Sequence, residues 1–139
     1  MINNKITVIF SETLKELDAS YNCGIDVDGL KFAIGLEKLN ASGNKKITTI
    51  IPFANSLIEL NAGSDYRGQC GINDDGLIHA INLQKLCAVD NMKITTVKPF
   101  INSLIELDAS GDWCGIDDKG LEGCSKLQII YSNYNYKIT

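Results

Sequence analysis

An internal repeat constrains the fold of this chain more than any other feature of its sequence. The stretch 46–63, KITTIIPFANSLIELNAG, returns as 93–110, KITTVKPFINSLIELDAS, with 13 of 18 positions identical. The two copies begin 47 residues apart. Repetition at such a period is typical of a solenoid, in which one supersecondary unit stacks on copies of itself.

A shorter pattern, Leu-x-x-Leu-x-Ala, runs through the whole chain. Five copies and a relaxed sixth, LQIIYS, start at positions 14, 36, 57, 83, 104 and 127. Alternation within each copy predicts a short strand with its apolar side chains on one face and its polar ones on the other. We predict a single domain, 1–139, with a partial repeat at 1–13 and six repeats at 14–35, 36–56, 57–82, 83–103, 104–126 and 127–139.

An Asn or Asp follows three residues after each Ala or Ser that ends this pattern. These residues are Asn22, Asn44, Asp65, Asn91, Asp112 and Asn135. The combined pattern resembles the leucine-rich repeat. The resemblance implies an α/β solenoid with a curved parallel sheet on its concave face and short helices or extended and 3-10 segments on its convex face. It also implies that the six Asn and Asp side chains form a structural ladder bonded to turn backbone, although the two carboxylates can accept hydrogen bonds and cannot donate them.

The segments between the predicted strands are of two alternating types. One type, Cys-Gly-Ile-Asp/Asn-x-x-Gly-Leu, occurs at 23–30, 70–77 and 114–121. It resembles the cysteine-containing subclass of leucine-rich repeats found in F-box-type substrate adaptors. An Asp or Asn in each copy suits a helix N-cap, and we expect short helices that end near three positions: Ile34, Ile81 and Cys124.

The other type reads Lys-Ile-Thr-Thr-Ile/Val-x-Pro-Phe, at 46–53 and 93–100. Proline disfavours a long helix there, because it lacks a backbone N–H and its ring collides with the preceding turn. We expect a short 3-10 or single-turn segment in each copy, with Phe53 and Phe100 buried.

The outward positions of the predicted strands form two columns. Glu and Lys alternate along the first, which contains Glu16, Lys38, Glu59, Lys85, Glu106 and finally Ile129. The second is polar and contains Asp18, Asn40, Asn61, Cys87, Asp108 and Tyr131. Neighbouring charges could simply neutralise one another and set the register, or they could form a patterned strip that binds a partner. Both interpretations stay open at this point.

Aromatic residues next to the strands are further candidates for partner contacts. Tyr66 and Arg67 lie in the longest connecting segment, 65–71, which we expect to project as a loop. Trp113 and Tyr131 follow or belong to later strands. Tyr and Trp are favoured anchors of interfaces, but their rings can also serve to cover the edges of a repeat stack.

Several classes of function are disfavoured by the sequence. A net charge of −4 and a pI near 4.9 argue against a nucleic-acid partner. No apolar run approaches the roughly 18 residues that cross a bilayer, so no membrane partner is expected. The five Cys occur without CxxC pairs or a signal peptide and indicate free thiols in the cytoplasm or another reducing intracellular compartment.

Catalysis and cofactor binding are likewise not expected. His79 is the only His, and the pattern places no Cys or Ser to partner it. Cysteines two strands apart are about 10 Å from one another, too far to share a zinc ion. We predict no catalytic residue, no metal and no cofactor.

The leading expectation is a non-catalytic module that binds a protein partner through the concave face and adjoining loops. One alternative is a structural unit that self-assembles into a homo-oligomer through uncapped solenoid ends. Another is the substrate-adaptor part of a ubiquitin-ligase-type complex, which follows only from the resemblance to the F-box-associated repeats.

Overall fold

Six parallel strands form one sheet, and each strand pairs with its neighbours in sequence. The structure is a computed structural model that describes residues 13–65 and 69–139. The strands are β1 (Glu16–Asp18), β2 (Lys38–Asn40), β3 (Glu59–Asn61), β4 (Lys85–Cys87), β5 (Glu106–Asp108) and β6 (Ile129–Tyr131). The predicted parallel sheet of a repeat solenoid is therefore confirmed. The partial repeat at 1–13 lies, except for Thr13, outside the described residues.

Equivalent residues of successive repeats pair without any shift of register. Glu16 lies opposite Lys38, Leu17 opposite Leu39, and the same correspondence holds for every later pair of strands. Because side chains alternate between the two faces of a strand, this register carries each sequence column into a straight column in space.

The inward columns form one continuous apolar core. The Leu and Ala residues of β2 to β5 and their C-terminal flanks are at most 3% exposed. Phe53 and Phe100, each 1% exposed, fill the core behind the strands, as predicted. Burial of a side chain of this size contributes about 1.5–3 kcal/mol, so the stacked repeats supply the apolar contacts that one repeat lacks.

The segments of the cysteine type are less helical than predicted. Helix α1 (Val27–Leu30) is a single turn, in which the Asp26 side chain accepts a hydrogen bond from the Gly29 N–H at 3.0 Å. The second copy forms only a 3-10 turn, Asp75–Leu77, and the third, 114–121, forms turns without a helix. None continues to Ile34, Ile81 or Cys124.

Hydrogen bonds between repeats explain this shortening. In an α-helix the Gly76 carbonyl would accept from the N–H of Ala80, four residues later. Instead it accepts from the Ile50 N–H, 3.2 Å away in the preceding repeat, and Ala80 donates to Leu77 at 3.0 Å. The backbone behind the sheet is thus bonded along the stack at Gly76, and likewise at Gly120, whose carbonyl accepts from the Val97 N–H at 3.1 Å, which ends these two segments after one turn.

The proline segments have the predicted conformation. They form 3-10 turns at Ile51–Phe53 and Lys98–Phe100, each with Pro in the first turn. Each turn ends at a Phe whose side chain is buried, so the same short motif supplies both a turn and a core residue.

Candidate partner-binding surface

The outward side chains of the sheet line an open groove of about 530 Å³. It crosses β1 to β5 and reaches β6 at Tyr131. Ten of the residues predicted to contact a partner line it: Glu16, Asp18, Lys38, Asn40, Glu59, Asn61, Lys85, Glu106, Asp108 and Tyr131. The straight register brings together side chains that are more than a hundred residues apart in sequence.

The first outward column contains two discrete ion pairs. Lys38 Nζ lies 3.8 Å from Glu59 Oε2, and Lys85 Nζ lies 3.5 Å from Glu106 Oε2. The four side chains are between 32% and 53% exposed. Pairs with this exposure contribute about 0.2–1 kcal/mol each, so they align the strands and add little to stability. Within the described residues Glu16 forms no ion pair, although Lys38 lies beside it in the register.

The second outward column closes the turn that follows each strand. The side-chain oxygen Oδ1 of Asp18, Asn40, Asn61 and Asp108 accepts a hydrogen bond from the backbone N–H two residues later, at 3.0–3.1 Å. This is an Asx turn, in which the side chain replaces a backbone acceptor. Asn and Asp make the same bond, so the turn itself does not require a charge.

Asp18 is nevertheless held in its charged form. The Ser20 hydroxyl and then the Ser20 backbone N–H stabilise the carboxylate, which lowers the pKa of Asp18 below its ordinary value. At neutral pH this end of the groove therefore carries a negative charge.

A third ion pair was not foreseen from the sequence. Lys15 Nζ lies 3.4 Å from Glu37 Oε1, one residue before β1 and β2. These positions precede the two predicted columns, and their opposite charges in neighbouring repeats were the available signal. The pair is neutral as a unit and leaves the charge balance of the groove unchanged.

Three of the predicted ladder residues form a buried structural column. The amide nitrogens of Asn44, Asn91 and Asn135 donate to the carbonyls of the Ala that follows the preceding strand, at 2.7–2.8 Å. Each also donates to an Ile carbonyl in the preceding connecting segment, at 3.0–3.2 Å. All three side chains are at most 5% exposed, so these hydrogen bonds connect consecutive repeats inside the core.

Two of the other predicted ladder residues, Asn22 and Asp112, do not join this column of buried side chains, which corrects the prediction for them. Asn22 and Asp112 are exposed, and Asp65 is partly exposed. In these repeats Cys70 and Cys114 are buried at the corresponding place, and the Cys70 thiol lies 3.5 Å from the Ala41 carbonyl oxygen, to which it donates. A fixed offset of three residues failed because the connecting segments before the cysteines differ in length.

The cysteines are placed as core or half-buried residues. All five are free thiols. Burial raises the pKa of Cys70, Cys87, Cys114 and Cys124. A high pKa keeps a thiol neutral and weakly nucleophilic. Within residues 13–65 and 69–139, no three His, Cys, Asp or Glu side chains are grouped so as to hold a metal ion.

Of the two aromatic candidates that the structure describes, one borders the groove and the other does not. Tyr131 borders the groove and is 47% exposed, whereas Trp113 is 57% exposed and does not line it. The Trp113 backbone N–H donates to the Asp90 carboxylate at 3.2 Å in the turn region beside the sheet. Tyr66 and Arg67 lie outside the described residues.

Comparison with protein-family models and with curated proteins found no relative of this chain. No protein-family model matches the chain, and no curated protein matches it significantly.

In the part of the chain that the structure describes, no helix has the length and apolar character needed to cross a membrane.

Proposed function

We propose that this chain is a leucine-rich-repeat protein that binds a protein partner through the groove, without catalysing a reaction. The observation that carries the proposal is the groove itself, a continuous surface that crosses five strands and whose outward side chains are mostly polar. The outward side chains that line it alternate along each strand with inward side chains that pack in the core. Core packing therefore does not require the outward side chains to be polar. A rigid sheet that presents many exposed polar groups in register suits recognition of another protein.

The leucine-rich-repeat assignment is supported by the buried columns. Leu39, Leu60, Leu86 and Leu107 repeat at the same strand position, and buried Asn or Cys side chains bond the turn backbone behind them. The Cys-Gly-Ile-Asp/Asn-x-x-Gly-Leu segments at 23–30, 70–77 and 114–121 are the feature that resembles the cysteine-containing subclass.

Affinity capture with a groove variant tests the proposal. The double variant Glu59→Lys, Glu106→Lys reverses two charges in the groove and removes only partly exposed ion pairs. We expect it to lose the protein captured by the unaltered chain while its thermal midpoint changes by only a few degrees. The matched control is Asp28→Lys, Glu122→Lys, which makes the same change of charge at exposed positions outside the groove. Equal capture by both double variants would refute the proposal.

Self-assembly is a second candidate, favoured by the last strand of the described sheet. Ile130 continues the inward Leu column but is 41% exposed, whereas Leu107 beside it is fully buried. A further repeat supplied by a second copy would cover Ile130 and pair with the free edge of β6. Light scattering across a dilution series tests this candidate, because stacking predicts a mass that rises with concentration.

The substrate-adaptor role rests on the resemblance to the F-box-associated repeats alone. It stays a prediction. Capture of ubiquitin-ligase subunits by the unaltered chain, and not by the groove variant, would support it.

A further inference from the structure

The groove carries an excess of negative charge. Five carboxylates and two ammonium groups line it, which gives a net charge of −3. Lys38 and Lys85 are engaged by Glu59 and Glu106 within the protein. Among the described residues, the groove charges that no ion pair engages therefore lie at the two ends and belong to Glu16, Asp18 and Asp108.

Two of these charges are not needed by the fold. Asp18 and Asp108 accept the turn hydrogen bonds at 3.0 and 3.1 Å, and Asn40 and Asn61 accept the same bonds at 3.1 and 3.0 Å without any charge. The neutral residue thus serves the turn in the middle of the groove, while the charged residue stands at each end. Asp18 is exposed and Asp108 is partly exposed, so each carboxylate, which the turn does not require, is accessible to a cation.

The spacing of the two ends sets the length of the ligand. Asp18 is on β1 and Asp108 is on β5, so four strand spacings separate them in the register. At about 4.8 Å for each spacing, the separation is about 19 Å. An extended peptide advances about 3.3 Å per residue and covers this distance in about six residues. Tyr131 adds an aromatic ring near the Asp108 end, where a cation can also bind.

We propose that the occupant of the groove is an extended basic protein segment that lies across the strands and places Lys or Arg side chains, about six residues apart, at Asp18 and Asp108. Because Lys38 and Lys85 are already paired with Glu59 and Glu106, uncharged polar residues of the segment suit the stretch between its two basic residues. This inference rests on the proposed function, because it identifies the partner chemistry of the same groove.

Labelled seven-residue peptides test the proposal by fluorescence anisotropy at low salt. The probe is RSTSTSR, with blocked ends and arginines six residues apart. Its isomer STRRSTS has the same composition and adjacent arginines, and ESTSTSE reverses the charge. We expect RSTSTSR to bind at least threefold more tightly than STRRSTS and ESTSTSE not to bind. Affinity should fall as salt rises, because exposed charges are screened.

Variants with isosteric Asp→Asn substitutions test whether the peptide binds at the two ends of the groove. Asp18→Asn, Asp108→Asn keeps the turn acceptors and removes two charges, and it should weaken RSTSTSR binding by three- to tenfold. The control Asp28→Asn, Asp112→Asn removes two exposed charges outside the groove and should change the affinity by less than twofold.

Each contrary result has a distinct meaning. Equal binding of the two arginine isomers, or equal affinities of the two double variants, would overturn the basic-segment proposal. Failure of RSTSTSR to bind, together with loss of a captured protein in Glu59→Lys, Glu106→Lys, would overturn this proposal and leave the proposed function standing. If the peptide does not bind and capture is also unaffected, both fall.

Discussion

The side-chain amide nitrogen of Asn91 donates a hydrogen bond to the backbone carbonyl of Ala62, 2.7 Å away in the preceding repeat. The same side chain accepts from the Lys93 N–H at 2.9 Å and is fully buried. Asn44 and Asn135 repeat this arrangement two repeats before and after it. The amide thereby satisfies backbone groups that stacking removes from water.

Replacement of Asn91 by Ala should therefore destabilise the fold strongly. The change leaves buried backbone donors and acceptors without partners, each at a cost of about 1–3 kcal/mol, and we expect a total loss of about 2–4 kcal/mol. Urea denaturation measures it. Asn22→Ala is the control, because Asn22 has the equivalent sequence position but is exposed, and it should change stability by less than about 0.5 kcal/mol. Similar losses for the two variants would contradict the proposed role of the buried column.

Val27→Asp should stabilise the protein. Asp74, which has the equivalent position in the next cysteine segment, accepts hydrogen bonds from the N–H and the hydroxyl of Thr95 at 2.8 and 2.6 Å. Thr48 occupies the place of Thr95 in the earlier repeat, so an Asp at position 27 would gain equivalent bonds worth about 0.5–1.5 kcal/mol. A double-mutant cycle with Thr48→Val isolates the interaction. No coupling in that cycle would show that the bond does not form.

The buried cysteines predict a loss of stability at alkaline pH. Burial raises the pKa of Cys70 and Cys114 in the folded state, while an unfolded thiol has a pKa of about 8.5. Above that pH the unfolded chain binds fewer protons than the folded chain, so the free energy of unfolding falls as pH rises. Denaturation between pH 7.5 and 10 should show a shallower decline in Cys70→Ala, Cys114→Ala than in the unaltered protein. Slopes are compared because the substitutions also alter stability at neutral pH.

Gly111 should tolerate Ala less well than Gly123. Both have positive φ, +102° and +87°, so Ala introduces backbone strain of about 1–3 kcal/mol at either position. A Cβ at Gly111 would also collide with the Asp90 carboxylate, whereas at Gly123 its nearest contact is an Ile101 methyl group at 3.7 Å. Thermal denaturation should show a larger loss for Gly111→Ala. Equal losses would mean that the Asp90 side chain moves aside freely.

Much of this architecture was predictable because the repeat fixes both alternation and register. The strand register that places Glu16 opposite Lys38 follows from the sequence pattern alone, and so does the burial of Phe53. The extent of the short helices did not follow, because the Gly76 carbonyl bonds to Ile50 in another repeat and local capping signals do not reveal that contact. The substitution of Cys70 for Asn in the buried column was missed because loop length shifted it in sequence.

The sequence predicted which residues line the groove, but it did not predict which of them form ion pairs with one another. The outward columns were identified from alternation, but the choice of Lys38 to pair with Glu59, and not with Glu16, depends on side-chain conformation. That choice leaves the Glu16 carboxylate without an ion pair among the described residues.

NMR mapping of a captured partner, or of RSTSTSR, on the ¹⁵N-labelled protein tests the central claim most directly. The chain of 15.2 kDa is small enough for resolved amide spectra. We predict that the shifted amides fall in β1 to β5, with the largest changes near Asp18 and Asp108. Shifts confined to exposed residues outside the groove, around Phe32 and Ile81, would contradict the assignment of the groove as the binding surface.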